Sequence, residues 1–175
     1  MKTWLQLILF IVSTSAATGE VDVSGPIGEH IPTAARVGDA RVAVLVWDLY
    51  DITLYGPAGS YNPEAPFAIE INYLRNIEGD LISRKSVEEM RRQGISEVKL
   101  AAWYEQMNAI FPDVKRGSRL TGIFLPGSAT LFYNEDGYIG RVMDPSFGEP
   151  FSRIWLGEGS SLSGVRARLT GGSGG

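Results

Sequence analysis

The heptapeptide FAIEINY, residues 67–73, alternates apolar and polar side chains and leaves few folds open to this chain. Its odd-numbered positions from Phe67 to Tyr73 are apolar, whereas Glu70 and Asn72 are polar. Side chains alternate between the two faces of a strand, so the pattern predicts a strand with one buried face. Such strands are typical of an antiparallel sheet that is covered on one side.

Other segments favour strands on either side of this one. The run RVAVLVWDLYDITLY, residues 41–55, is dense in β-branched and aromatic residues and is predicted as one long strand. Residues 18–40 are rich in glycine, proline, serine and aspartate and are predicted to form an extended lead-in segment. Three further strands are predicted in LTGIFLPG, ATLFYN and GYIGRVM, with NEDG as the hairpin turn between the last two.

The middle of the chain is predicted to be helical. The residues Ser86 to Glu89 match a capping box, which predicts that a short helix begins there and ends at Gly94. Ser96 is placed to begin a second helix, in which apolar residues recur at helical spacing until Pro112 ends it.

Two helices are predicted at the C-terminal end. Asp144 followed by Pro145 is typical of a helix start, and a final short helix is predicted to end near Leu169. Strands and helices then follow one another without regular βαβ alternation, which predicts an α+β fold: a large antiparallel sheet with helices on one face. The segment GGSGG, residues 171–175, has the composition of a flexible tail.

The N-terminus has the pattern of a secretory signal. Lys2 precedes the apolar run Trp4–Val12, and the small residues 13–17 follow it. The run is shorter than the roughly 20 residues that a membrane-spanning helix needs. Residues 1–17 are therefore predicted to be a signal peptide, with a mature protein that begins near Thr18, is periplasmic or secreted and has no membrane span. A buried N-terminal helix and an uncleaved anchor are the alternatives.

Composition excludes several kinds of site. The chain has 175 residues and a formal charge of −4, which argues against nucleic acid as a partner. It has no cysteine, so disulfides and thiolate metal ligands are excluded, and His30 is the one imidazole. Motifs of serine hydrolases, zinc proteases, P-loop enzymes and dinucleotide-binding proteins are missing.

Large aromatic residues are the most suggestive side chains for a ligand site. Most of them are expected in the core, but a curled sheet could also use them to line an apolar pocket for a bulky hydrophobic molecule. This set comprises Trp47, Tyr50, Tyr55, Tyr73, Trp103 and Trp155.

Most of the chain after residue 40 resembles the bacterial chalcone isomerase-like family, exported relatives of plant chalcone isomerase. The family fold is an open-faced β-sandwich, a large antiparallel sheet with a layer of helices, which agrees with the order of elements above. The phrases that carry the resemblance are WDLYDITLYGP (47–57), PFAIEINYLRNIEGDLISRKSVEEMRRQG (66–94), AAWYEQMNAIFPDVKRGSRLTGIFLPG (101–127), FYNEDGYIGRVMDPSF (132–147) and RIWL (153–156).

The resemblance does not imply the isomerase reaction. Plant isomerases hold the substrate phenolate with an arginine, for which Arg41 or Arg36 is the nearest match. Their tyrosine would fall near Leu81 or Ile82, and their asparagine near Glu89, where this sequence has neither group. Ser160, Ser161 or Ser163 could supply the late hydroxyl. A non-catalytic binding protein is therefore predicted, with an isomerase or intramolecular lyase as the alternative.

Two ligands follow from relatives with this fold. Some exported bacterial relatives are associated with haem b. Relatives with this fold also include fatty-acid-binding proteins, in which an arginine anchors the carboxylate. Haem b is the leading candidate, with His30 as the axial iron ligand and Arg41 or Arg36 paired with the propionates. A fatty acid is the second candidate, and a structural or interaction role with a collapsed cleft is the third.

Overall fold

The computed structural model describes residues 23, 25–162 and 164–171. The predicted signal peptide, residues 1–17, and most of the predicted tail lie outside the described residues. The described part contains six strands and five helices. They are α1 (Pro26–His30), β1 (Ala34–Val44), β2 (Trp47–Pro57), β3 (Phe67–Tyr73), α2 (Gly79–Arg92), α3 (Glu97–Ile110), β4 (Arg119–Leu125), β5 (Ala129–Asn134), β6 (Gly137–Val142), α4 (Gly148–Leu156) and α5 (Val165–Leu169).

The six strands form one antiparallel sheet in the order of the sequence, β1 to β6. Helices α2 and α3 connect β3 to β4, although these two strands are neighbours in the sheet. Helices α4 and α5 follow β6, and α5 packs against β1 at the other edge. The predicted α+β fold, an open-faced β-sandwich with a helical layer, is confirmed.

The alternation predicted for β3 separates two hydrophobic cores. Phe67, Ile69 and Ile71 are buried against the helical layer, and so are Phe124 and Phe132 on neighbouring strands. We call this side of the sheet the front face. The intervening residues point to the back face, where Ala68, Ile123 and Leu131 are covered by Ile27 of α1 and by Ile31, which follows it. The predicted extended lead-in therefore contains a short helix that buries part of the back face.

The prediction of one strand over residues 41–55 is wrong. The chain turns back at Leu45 and Val46, so β1 and β2 form a hairpin with Val44 opposite Trp47. Leu45 has a φ of 56°, a left-handed conformation that two-residue turns usually give to glycine or asparagine. The sequence lacks that signal, and the β-branched and aromatic residues on both sides read as one continuous strand.

The predicted start of the helix at Ser86 is also wrong. Helix α2 begins at Gly79, whose N–H donates to the Asp113 carboxylate at 2.9 Å. Ser86 lies inside the helix, and its hydroxyl donates to the carbonyl of Ile82 at 2.8 Å. A carboxylate that is distant in sequence therefore binds the first turn, which a local capping pattern cannot predict.

Two other predicted helix starts have different outcomes. Helix α3 begins after Ser96, as predicted, although the Ser96 side chain makes no capping hydrogen bond. Helix α4 begins at Gly148, not at Pro145. The Asp144 carboxylate instead accepts hydrogen bonds from the N–H and hydroxyl of Ser146, which hold a separate turn before the helix.

Candidate functional site

A cavity of about 670 Å³ lies between the front face of the sheet and the helical layer. Its floor includes Ile69, Ile71 and Phe132, and its roof includes Ile82 of α2 and Ile154 of α4. Its size and its apolar lining are typical of sites that enclose a small organic molecule.

A small polar group lies inside this apolar cavity. The indole N–H of Trp155 donates to the hydroxyl of Tyr50 at 2.9 Å, and the ring of Tyr73 packs edge-on against Tyr50 with centroids 5.9 Å apart. Burial raises the pKa of Tyr50 to about 12, and burial also raises the pKa of Tyr73. Both phenols are therefore neutral at physiological pH and can donate a hydrogen bond. Within the described residues, the Tyr73 hydroxyl makes no hydrogen bond.

Charged side chains surround the mouth of the cavity. Arg75, Glu78, Lys85 and Glu89 are all part of its lining. The ammonium group of Lys85 pairs with Glu88 at 2.7 Å, and Glu89 accepts from Arg92 at the same distance. The charges of Lys85 and Glu89 are therefore partly neutralised by neighbours on α2.

Arg75 differs from the other charged residues of the mouth. Its guanidinium carbon lies 4.2 Å from the centre of the Trp47 ring, and its Nε donates to the Asp48 carbonyl at 3.2 Å. These contacts fix the orientation of the guanidinium. Within the part of the chain that the structure describes, its two terminal nitrogens have no carboxylate partner. Arg75 can therefore donate a bidentate pair of hydrogen bonds to an anion at the mouth.

The three predicted site residues all lie on the back face. The His30 imidazole is half-buried and lies 2.9 Å from the Tyr133 hydroxyl of β5. Arg36 pairs with Asp39 on the same strand. Arg41 makes a bidentate contact to Asp51, at 2.7 and 2.9 Å, and a third contact to Asp48 at 3.1 Å.

The sheet separates these residues from the cavity, and the structure does not bring them together. Three strands lie between β1, which carries Arg36 and Arg41, and β5, which His30 contacts. Since α1 covers the back face, His30 lies on the opposite side of the sheet from the cavity. A role for His30 as a haem ligand stays a prediction, and it would need a second site. Among the described residues, no group of three or more histidine or acidic side chains is placed to hold a metal ion.

Three of the six large aromatic residues that were named as candidates for lining an apolar pocket do line the cavity. Tyr50, Tyr73 and Trp155 line the cavity. Tyr55 packs on the back face, and Trp103 is buried against Phe147 with its N–H 3.0 Å from the Asp144 carboxylate. Arg75, which follows β3 closely in sequence, was not among the predicted site residues. Its only local signal was its position at the end of a half-buried strand.

The sequence profile of the chalcone isomerase-like family matches residues 38–171. The chain belongs to the chalcone isomerase-like family. An uncharacterized protein of Haemophilus influenzae is 26% identical over 136 residues, which cover 77% of this chain and 67% of that protein. The crystal structure of a fatty-acid binding protein from Arabidopsis thaliana superposes with a TM-score of 0.62 at 12% identity, covering 79% of this chain and 87% of that one. This likeness concerns the fold.

The cavity also contains the positions that the resemblance assigned to the plant isomerase tyrosine and asparagine. Leu81, Ile82 and Glu89 line it, so this chalcone isomerase-like chain has hydrocarbon and carboxylate groups there. The Ser160 hydroxyl donates to the Ile154 carbonyl, and that of Ser161 donates to Glu89. Ser163 lies outside the described residues. None of the helices among the described residues has both the length and the hydrophobicity of a transmembrane span.

Proposed function

We propose that this protein is a non-catalytic carrier of a bulky apolar ligand with one acidic end, and that a long-chain fatty acid is the ligand it fits best. The observation that carries this proposal is the apolar cavity of about 670 Å³ with the oriented guanidinium of Arg75 at its mouth. Burial of the hydrocarbon would supply most of the affinity.

The acidic end of the ligand would lie at the mouth. The carboxylate of the ligand could pair with Arg75 without breaking an ion pair among the described residues. To bind the same carboxylate, Lys85 would have to break its ion pair with Glu88. The polar groups inside include two phenols and an indole, and because all three are uncharged they cannot neutralise a carboxylate. A fatty-acid binding protein with the same fold makes an acyl ligand consistent with this arrangement.

Haem b stays a prediction. Its apolar macrocycle and its propionates suit the same cavity and the same arginine, but an iron ligand is harder to find. His30 lies on the back face. Burial raises the pKa of Tyr50 and of Tyr73, which disfavours the phenolate form that would bind iron.

The alternative of an isomerase has less support from the geometry. The arginines that the resemblance assigned to the phenolate, Arg41 and Arg36, lie on the back face in ion pairs. Leu81 and Ile82 supply no hydroxyl at the position of the tyrosine. Export to the periplasm or the medium, predicted from residues 1–17, is part of the proposal and would place the carrier outside the cytoplasm.

The test is a titration of the full chain with a fluorescent long-chain fatty acid, followed by displacement with the unlabelled acid. Ile82→Trp fills part of the cavity, and Val98→Trp places the same ring on the exposed surface of α3. We expect one-to-one binding that Ile82→Trp abolishes and Val98→Trp preserves, with circular dichroism to check both folds. Equal binding by both variants would rule out this cavity.

A parallel titration with haemin separates the two ligands. Binding in the cavity predicts a Soret shift that Ile82→Trp removes and His30→Ala leaves intact. A shift that only His30→Ala removes would instead support the predicted axial ligand and a separate site. Chalcone turnover by the same preparation would contradict the non-catalytic assignment.

A further inference from the structure

The tip of the β1–β2 hairpin exposes four consecutive apolar residues, which we call the hairpin tip: Val44, Leu45, Val46 and Trp47. Leu45 and Val46 are 93% and 86% exposed, and the other two are about half exposed at 51% and 54%. Single exposed apolar residues are ordinary, but a continuous protruding group marks an interaction site.

The hairpin tip has a strained backbone in addition to its apolar side chains. Leu45 adopts a φ of 56°, which a glycine or an asparagine would adopt at lower cost. A leucine that is exposed and strained contributes little to the stability of the fold. Its presence is easier to explain if the side chain acts on a partner.

The hairpin tip is continuous with the mouth of the cavity. Val44 lines the cavity, as does Leu49 on the other strand of the hairpin. The Trp47 ring stacks on Arg75, which is at the mouth. A surface that contacts the hairpin tip would therefore also face the opening of the cavity.

The shape of the hairpin tip favours a bilayer over a protein partner. A stable protein interface buries at least about 1,200 Å² in total, which a protruding two-residue turn and its flanks cannot supply alone. Insertion into a lipid surface requires no complementary partner surface, and tryptophan and arginine are typical of the level of the headgroups.

The charges beside the hairpin tip are compatible with phosphate headgroups. The net charge of the chain is −4, but Asp48 and Asp51 are both paired with Arg41. Arg75 adds a second guanidinium. Two carboxylates are thus balanced by two cations, and the hairpin tip would not be repelled from a phospholipid surface.

We infer that the hairpin tip docks on phospholipid bilayers and that the cavity exchanges its apolar ligand with the bilayer there. The docking goes beyond the proposed ligand binding and does not depend on it, whereas the exchange rests on it. Because the nearby charges balance, docking should depend little on anionic lipid content or on salt.

The test uses the absence of cysteine from the chain. Val46→Cys in the full chain accepts an environment-sensitive fluorophore at the hairpin tip, and Val98→Cys is a matched control, because Val98 is 82% exposed on α3. With phosphatidylcholine vesicles we expect a blue shift and quenching by spin-labelled lipid at position 46 but not at position 98. This readout is local, so lipid binding by the N-terminal apolar segment does not produce it.

A second substitution checks the chemistry. Leu45→Asp in the labelled Val46→Cys chain should weaken vesicle partitioning at least about tenfold, because it removes an inserted leucine. Failure of position 46 to change, or the same change at position 98, would overturn the inference. A blue shift that depends on protein concentration without vesicles would overturn it in favour of self-association. Fatty-acid binding from solution by the Leu45→Asp chain tests the cavity separately.

Discussion

Replacing Arg75 with glutamine is expected to weaken binding of a long-chain fatty acid more than binding of the alcohol of the same length. The guanidinium is already oriented by the Trp47 ring at 4.2 Å and by the Asp48 carbonyl at 3.2 Å, so little side-chain freedom is lost on binding. A hydrogen bond to a charged group contributes about 1.5–3 kcal/mol. Solvent at the mouth reduces this towards the value of exposed pairs, so we expect about 1–2 kcal/mol.

This free energy corresponds to a loss of about five- to thirtyfold in affinity for the acid. Displacement titrations of the full chain with the acid and with the alcohol measure the difference directly. Lys85→Gln is the matched control, since Lys85 lines the same cavity but is paired with Glu88 at 2.7 Å. The control should change acid affinity by less than about fivefold, as is typical of an exposed ion pair.

Two results would refute this reasoning. An unchanged acid affinity in Arg75→Gln would show that the carboxylate lies elsewhere. An equal loss for acid and alcohol would show that Arg75 maintains the mouth of the cavity by its stacking on Trp47 and does not select a charge. Raising the ionic strength should reduce the difference in affinity between the acid and the alcohol for the wild-type chain. The same change should leave this difference in affinity unaltered for Arg75→Gln.

Three further predictions concern stability. Trp155→Phe leaves the half-buried hydroxyl of Tyr50 without its donor, so urea denaturation should show a loss of about 0.5–1.5 kcal/mol, the net contribution of one hydrogen bond. Burial raises the pKa of Tyr50 to about 12, so its contribution to the free energy of unfolding is present below pH 10 and is lost as the pH rises towards 12. Tyr50→Phe should therefore reduce the fall in the free energy of unfolding over this pH range. An unchanged fall would contradict the raised pKa of Tyr50. A methyl group at Gly38 would overlap the carbonyl oxygen of Leu169, so Gly38→Ala should lower the free energy of unfolding by about 1–3 kcal/mol or more. Gly159→Ala, which meets no heavy atom of the described chain within 4 Å, should change it by less than about 0.5 kcal/mol.

The fold was predictable because periodicity is local information. The alternation in β3 identified a sheet with one covered face, and the burial of Phe67, Ile69 and Ile71 confirms it. The β1–β2 turn was not predictable, because its left-handed residue is Leu45 and no glycine or asparagine marks it. The start of α2 was missed for a different reason, since Asp113, 34 residues away, binds its first turn.

The candidate site was less predictable because it depends on which face of the sheet a residue occupies. Arg41 lies between Ala40 and Val42, which are buried on the front face, so the alternation of β1 sends its side chain to the back. The alternation of β1 is visible in the sequence and predicts this position for Arg41. The resemblance to the isomerase arginine predicted the ligand site instead. Arg75 lies beyond the end of β3, where the alternation of side chains no longer predicts an orientation. Its orientation depends on the β1–β2 hairpin, which places Trp47 beside it.

Polar contacts hold α2, which roofs the cavity, near both of its ends. The first N–H of the helix donates to Asp113 at 2.9 Å, and the Tyr104 hydroxyl of α3 donates to Asp80 at 2.6 Å. Just beyond the last turn, the Gln93 amide donates to the Pro150 carbonyl at 2.9 Å. These contacts join α2 to the loop before β4, to α3 and to α4. Val87 and Met90 in the C-terminal half of α2 are buried in the front core. The helix is therefore held by packing in that half and by polar contacts at its ends, while the space beside Ile82 in its N-terminal half is part of the cavity.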